Sequence, residues 1–219
     1  MTHSASKLEA SRQHGKNQVD AQRESILEAA EKCFLQNGLE NTKMIDIAAA
    51  AGITKMSLYR YFPNRDVIAL EIHARMTNHL AEAFGPEPAV YTPDYFKQTC
   101  QFLIRNFDAL RDVYRYMGMF DKIYLDDAPE AALTHWTRGQ LFSQSWNGIH
   151  VDQMLRDNPH GNRLLMVFST VIWFLEKLAL RGELTWSDQA IPLQEHLRLF
   201  EEMISGYIDQ IFSQPTTGS

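Results

Sequence analysis

The sequence predicts an all-α protein in which short helices come first and long ones follow. Three observations lead there. Apolar residues recur at three- and four-residue spacing along most of the chain, no stretch alternates with a period of two, and Gly, Pro and Asn punctuate the pattern at helix-length intervals. A chain of 219 residues is long enough for a small domain joined to a larger one. The expected division is a mobile tail over residues 1–20, a small domain over 21–66 and a larger helical domain over 67–219.

Residues 1–20 are polar, mixed in charge and without apolar periodicity, which suggests a solvated tail. Over 23–36, Ile26, Leu27, Ala30, Cys33 and Phe34 recur at helical spacing, and Asn37-Gly38 supplies a left-handed stop. A second helix is expected over 43–51, with Thr42 as its N-cap and Gly52 just past its end. A third covers 54–61. Pro63 interrupts it, and Asn64 can cap a fourth helix reaching Gly85. After the "GPEPAVYTP" break, longer helices are expected over 93–108, 109–125, 129–155, 162–181 and 192–212.

Hydrophobic residues make up 45% and charged residues 22%, the balance of a globular protein. The longest apolar run, "LLMVFSTVIWFL", is twelve residues against the ~20 needed to cross a bilayer, and the opening stretch lacks a signal peptide's apolar core. The expected compartment is the cytoplasm. Cys33 and Cys100 are too few and too far apart for a disulfide framework or a metal knuckle and read as buried thiols. No HExxH, GxSxG, Gly-rich phosphate loop or CxxC is present, so neither an enzyme nor a cofactor or metal is expected. The net charge of −6 argues against a nucleic-acid partner until it is divided by region. Residues 1–66 carry nine basic and eight acidic side chains, and residues 41–65 carry four basic to one acidic.

That cationic stretch contains "GITKMSLYRYF", which divides by face. At ~100° per residue Leu58 and Phe62 fall together, while Lys55, Met56, Tyr59 and Arg60 cover the flank and the opposite face. Ile47, Ala48 and Ile53 complete an inward surface, and Gly52 takes the positive φ that a sharp turn needs. A short helix with hydroxyls at Thr54 and Ser57 by its N-terminus has the geometry to enter a major groove.

The segment "TKMIDIAAAAGITKMSLYRYFPNRDVI" resembles the DNA-binding region of the TetR family of bacterial transcriptional regulators. The resemblance lies in Asp-Ile-Ala, an Ala-Gly turn followed by an aliphatic residue, Leu-Tyr-x-Tyr-Phe, and a basic residue opening the fourth helix; with helix one it spans about residues 21–72. It implies an N-terminal three-helix helix-turn-helix DNA-binding domain and a C-terminal helical ligand-binding and dimerisation domain. It also implies that Thr42 and Lys43 hold phosphates, that Thr54, Lys55, Met56 and Ser57 form the reading end, that Tyr59 sits at the groove edge, that Tyr61 meets a phosphate, and that Arg65 anchors the backbone. Tyr61 lies at the edge of the inward face, where packing and phosphate contact both remain open. Ile45, Met56 and Arg65 depart from the family's usual residues at their positions.

The helix over 164–180 is apolar nearly all round, so a second chain is expected to cover part of it, with the amphipathic last helix completing a homodimer interface. Two reading helices related by a two-fold imply a palindromic operator in double-stranded DNA. Candidates to line a pocket for a small apolar or aromatic effector are Tyr114, Met117, Phe120, Trp136, Trp146, His150, Phe168 and Trp173, with His135, Arg105 and Gln144 as further orienting groups. The functional reading is a repressor released by such a ligand. An activator, or a helical ligand- or partner-binding adaptor, is the alternative.

Overall fold

The computed structural model describes residues 2–83, 92–126, 160–181 and 191–213. The helices are α1 (Thr2–Asn37), α2 (Met44–Ala50), α3 (Lys55–Tyr61), α4 (Arg65–Ala83), α5 (Pro93–Arg105), α6 (Phe107–Asp121), α7 (Gly161–Arg181) and α8 (Leu193–Ser213), with a π-helical turn at Lys122–Asp126 after α6. Among the described residues there is no strand. The helix expected over 129–155 lies outside them. The chain separates into two compact units, Met1–Ile72 and His73–Ser219.

Helix α1 begins at Thr2, where a tail was expected. Residues 5–13, "ASKLEASRQ", are mostly strong helix formers, and no proline occurs before Pro63. Absence of an apolar stripe speaks to burial rather than to helicity, so periodicity alone had no means of finding this part of the helix.

The first unit buries the apolar stripe of α1 (Ile26, Leu27, Ala30, Cys33, Phe34) with Ile47 and Ala48 of α2, Leu58 of α3, Phe62, and Ile68 and Ile72 of α4. Helices as short as α2 and α3 are not stable alone; this shared core holds them. Two glycines set the turns. Gly38 at φ 85° ends α1, and Gly52 at φ 68° turns the chain between α2 and α3, where the Ile53 N–H donates to the Ala48 carbonyl at 3.0 Å. Arg23 ties the unit together: its guanidinium lies 4.1 Å from the Phe62 ring centroid, donates to the Tyr61 carbonyl at 2.9 Å and pairs with Glu71. Asn64 caps α4 as expected, its Oδ1 accepting from the Val67 N–H at 2.9 Å.

The second unit packs α5, α6, α7 and α8 around one core that includes Phe96, Leu103, Phe107, Tyr114, Val171, Leu175, Phe200 and Ile208. Thr92 starts α5, its hydroxyl accepting from the Tyr95 N–H at 3.2 Å, with Pro93 preset for the first turn. Helices α6 and α7 approach closely at Gly118, where an added Cβ would stand 2.8 Å from a Leu180 methyl and 3.1 Å from the Glu176 Cβ. Both cysteines are buried and free, and burial pushes the Cys100 thiol up to about 12.

Candidate nucleic-acid interface

Helix α3 is started by Thr54, which lies in extended conformation with its hydroxyl accepting from the Ser57 N–H at 3.1 Å and within 2.9 Å of the Ser57 hydroxyl. The cap fixes the direction of the first turn. With Leu58 fully buried, the residue two positions earlier faces the other way, and Met56 is 77% exposed. Tyr59 and Arg60 share that outward face, and the Lys55 ammonium lies 5.8 Å from the Tyr59 ring centroid. The reading end expected from the sequence is thus assembled on one surface, except that Ser57 is half-buried. Ile53, expected in the core, is also only half-buried, at the end of the turn rather than inside it.

At α2 the structure corrects the sequence reading. The cap position falls on Lys43, whose N–H is held by the Asp46 carboxylate at 2.8 Å, and not on Thr42. Thr42 is buried, and its hydroxyl donates to the Gly38 carbonyl at 2.8 Å and lies 3.2 Å from the Cys33 carbonyl. The left-handed turn at Gly38 carries the chain back over the end of α1, and the Thr42 hydroxyl is directed at backbone carbonyls of that turn. Lys43 stays exposed, and so does Ile45 at 51%.

Tyr61 and Arg65 are both half-buried. The Tyr61 carbonyl is engaged by Arg23. Arg65 donates to the carbonyls of Leu39 at 3.0 Å and Glu40 at 3.2 Å and pairs with Asp66 at 3.3 Å, so in the free protein its fork holds the loop after α1. A backbone anchor at this position would have to give up part of that set.

Of the pocket candidates, Tyr114, Met117, Phe120, Phe168 and Trp173 lie among the described residues. Tyr114 is buried and donates to the Leu103 carbonyl at 3.0 Å; burial, with Glu176 nearby, pushes its hydroxyl well above the usual phenol range. Met117 and Phe168 belong to the α5–α8 core. Phe120 stacks on His73, ring centroids 4.1 Å apart, and tilts against Tyr124 at 4.5 Å. Trp173 is 60% exposed, with the Lys177 ammonium 5.8 Å from its ring. On a helix apolar nearly all round, the sequence does not say which side is covered, and Trp173 stands on an exposed one. Arg105 is exposed and bonded to Glu201. Trp136, Trp146, His150, His135 and Gln144 lie outside the described residues.

Sequence reasoning missed His73. It completes the buried stripe Ile68, Ala69, Ile72, His73, Met76 and Leu80 on α4, a pattern already visible in the spacing. Its Nδ1 is buried without a hydrogen-bond partner, and burial lowers its pKa to about 4. Among the described residues no group of three or more His, Cys, Asp or Glu side chains is placed to hold a metal, and no helix is long and apolar enough to cross a membrane.

An N-terminal helix-turn-helix with a cationic outward face is followed by a second unit whose described residues are helical, a two-unit helical architecture. Known proteins share features with both units. Residues 26–72 match the model for bacterial regulatory proteins of the tetR family. Over 78 residues the chain is 33% identical to the HTH-type transcriptional regulator TtgR of Pseudomonas putida, covering 34% of this chain and 37% of that one. Solved structures share the whole fold. A TetR family transcription regulator from Marinobacter aquaeolei VT8 superposes with a TM-score of 0.57 at 21% identity, over 87% of this chain and 97% of the other. A TetR-like transcriptional regulator from Rhodococcus sp. RHA1 gives 0.53 at 16% identity, over 86% and 96%. Residues 26–72 are thus similar to the DNA-binding segment of the TetR family of transcriptional regulators, and the helical fold of the solved structures agrees with that likeness. The sequence match spans about a third of TtgR and lies in the DNA-binding end, so it carries no effector across.

Proposed function

We propose that this protein is a transcriptional repressor of the TetR family. A homodimer joined through α7 and α8 holds a palindromic operator with two copies of α2–α3 and releases it when a small apolar or aromatic molecule occupies the second unit. The observation that carries the reading is the face of α3: Met56, Tyr59 and Arg60 point away from buried Leu58, with Lys43 and Lys55 exposed and in no ion pair among the described residues. Cations left without carboxylates suit a polyanion, whose counterions they displace. The dimer is supported by exposed rows on two long helices: Met166, Trp173 and Leu180 on α7, and Leu199, Met203 and Tyr207 on α8. Spacings of seven residues on α7 and four on α8 keep each row on one side of its helix.

The ligand's chemistry follows from the aromatic and thioether residues of the second unit, which suit an apolar molecule better than a sugar or nucleotide. Release requires only that the ligand prefer a conformer with wrongly spaced reading helices, each tenfold preference shifting the equilibrium by ~1.4 kcal/mol. The protein works by binding rather than catalysis, without a cofactor, and acts in the cytoplasm, where the DNA is.

Selection from a pool of random duplexes with the full chain tests this. The selected site is expected to be a palindrome, with affinity falling as salt rises at a log-log slope of several units. Lys55→Ala should reduce that slope by about one per half-site. An affinity for duplex that ignores salt would sink the DNA reading and leave the adaptor.

A further inference from the structure

Met56 is the most exposed of the large hydrophobic side chains among the described residues. A single exposed methionine is ordinary on a protein surface. This one stands on the outward face of α3 beside Tyr59 and Arg60, directly after Lys55, and opposite the buried Leu58. Of the exposed large hydrophobics described in residues 15–72, Ile45, Met56 and Tyr59 belong to the helix-turn-helix and Val19 lies elsewhere. The surroundings select the occupant. Residues 41–65 hold four basic side chains and one acidic one, and the acidic one, Asp46, is engaged by the Lys43 N–H. An apolar group set in such a field is matched to a polyanion that itself offers an apolar feature.

Duplex DNA offers one in the major groove. A thioether is at best a weak acceptor and donates no hydrogen bond, so Met56 has little to give the polar edges of guanine, cytosine or adenine. The C5-methyl group of thymine is the apolar element of that groove, and a flexible, polarizable side chain packs well against it. We propose that Met56 is a specificity-determining residue that reads a thymine methyl in each operator half-site. This rests on the regulator reading above, and it adds a base preference that neither the fold nor the family match supplies.

Uracil scanning tests it on the full chain. Each thymine of the selected operator is replaced in turn by deoxyuridine, which removes the methyl and keeps the base pair. One position per half-site is expected to weaken binding of the wild-type protein about three- to fourfold, and roughly tenfold when both half-sites are changed, the effect of withdrawing one methyl from an apolar contact. Met56→Ala, a change at an exposed position that leaves the core intact, should bind the thymine operator as weakly as wild type binds the uracil one. It should also show no further loss on uracil at that position. Wild-type binding that is indifferent to uracil at every position, or a selected half-site without thymine, overturns the proposal and leaves the regulator reading standing. An uracil effect that persists undiminished in Met56→Ala overturns it too, since another residue then reads the methyl. Failure to bind any duplex in a salt-dependent way overturns both.

Discussion

The two units each expose large apolar side chains, but in different company. On α2 and α3 they stand singly, Ile45 and Met56, among Lys43, Lys55 and Arg60, which form no ion pairs among the described residues. On α7 and α8 they form rows about four and two turns long, and charged residues of α8 are tied to partners: Glu201 to Arg105, Arg198 to Glu195 and Glu202, Asp209 to Lys97. Fractional exposure is similar in the two places, so it does not tell them apart. The state of the surrounding charges does. Unpaired cations around an isolated apolar group suit a charged, grooved partner, whereas neutralised edges around an apolar strip suit another protein surface.

The largest expected effect comes from breaking the second of these faces. Trp173→Glu puts a carboxylate at the centre of the exposed α7 row, which in a symmetric pair meets its own copy or the α8 row. Burying unpaired carboxylates costs several kcal/mol, so sedimentation at micromolar concentration should turn from dimer to monomer and operator affinity should fall by two orders of magnitude or more. Helicity should be retained, because Trp173 is 60% exposed and no part of the core depends on it. A Trp173→Glu protein that remains dimeric would place the interface elsewhere.

A second prediction leaves both faces untouched and asks what holds the second unit together. His73 is buried with its pKa lowered to about 4, from an unperturbed value near 6.5. Between those values the unfolded chain binds a proton that the folded one does not, so this group's contribution to stability falls as pH drops through that window and is intact above it. About 2.5 units correspond to ~3 kcal/mol. In His73→Phe, a close match in size that can keep the stack on Phe120, urea denaturation from pH 7 to 4 should lose this share of the acid sensitivity. An identical pH profile in the two proteins would mean that the imidazole is solvated.

These residues also mark how far the sequence could be read. Leu58, Phe62, Ile47, Ala48, Gly52 and the Asn64 cap follow from spacing and turn chemistry, because local forces fix them within one or two helical turns. The outward set Lys55, Met56, Tyr59 and Arg60 follows by subtraction. Arg65 was legible as a cation but not as one already engaged, since its carbonyl partners lie 25 and 26 residues away in the chain. Trp173 was legible as apolar but not as exposed, because a helix with apolar residues on every side has no phase to read.

Thr42 gives the smallest effect and the sharpest separation within the first face. Read along the chain, a threonine just before an apolar run is an N-cap, and the family pattern would give it a phosphate. In the fold its hydroxyl closes the Gly38 carbonyl at 2.8 Å from inside the unit. Thr42→Val keeps the shape and removes the hydroxyl donor, leaving the half-buried Gly38 carbonyl with only the residue-42 N–H, a loss of ~1 kcal/mol. Well below its melting temperature the variant should bind the operator with the salt slope of the wild type. Lys43→Ala, one residue on, should be the reverse: stability nearly unchanged, because its backbone N–H still meets Asp46, and a slope reduced by about one per half-site. If Thr42→Val instead lowered the slope at unchanged stability, the hydroxyl would have to turn outward on DNA, and the Gly38 turn would be a switch rather than a fixed stop.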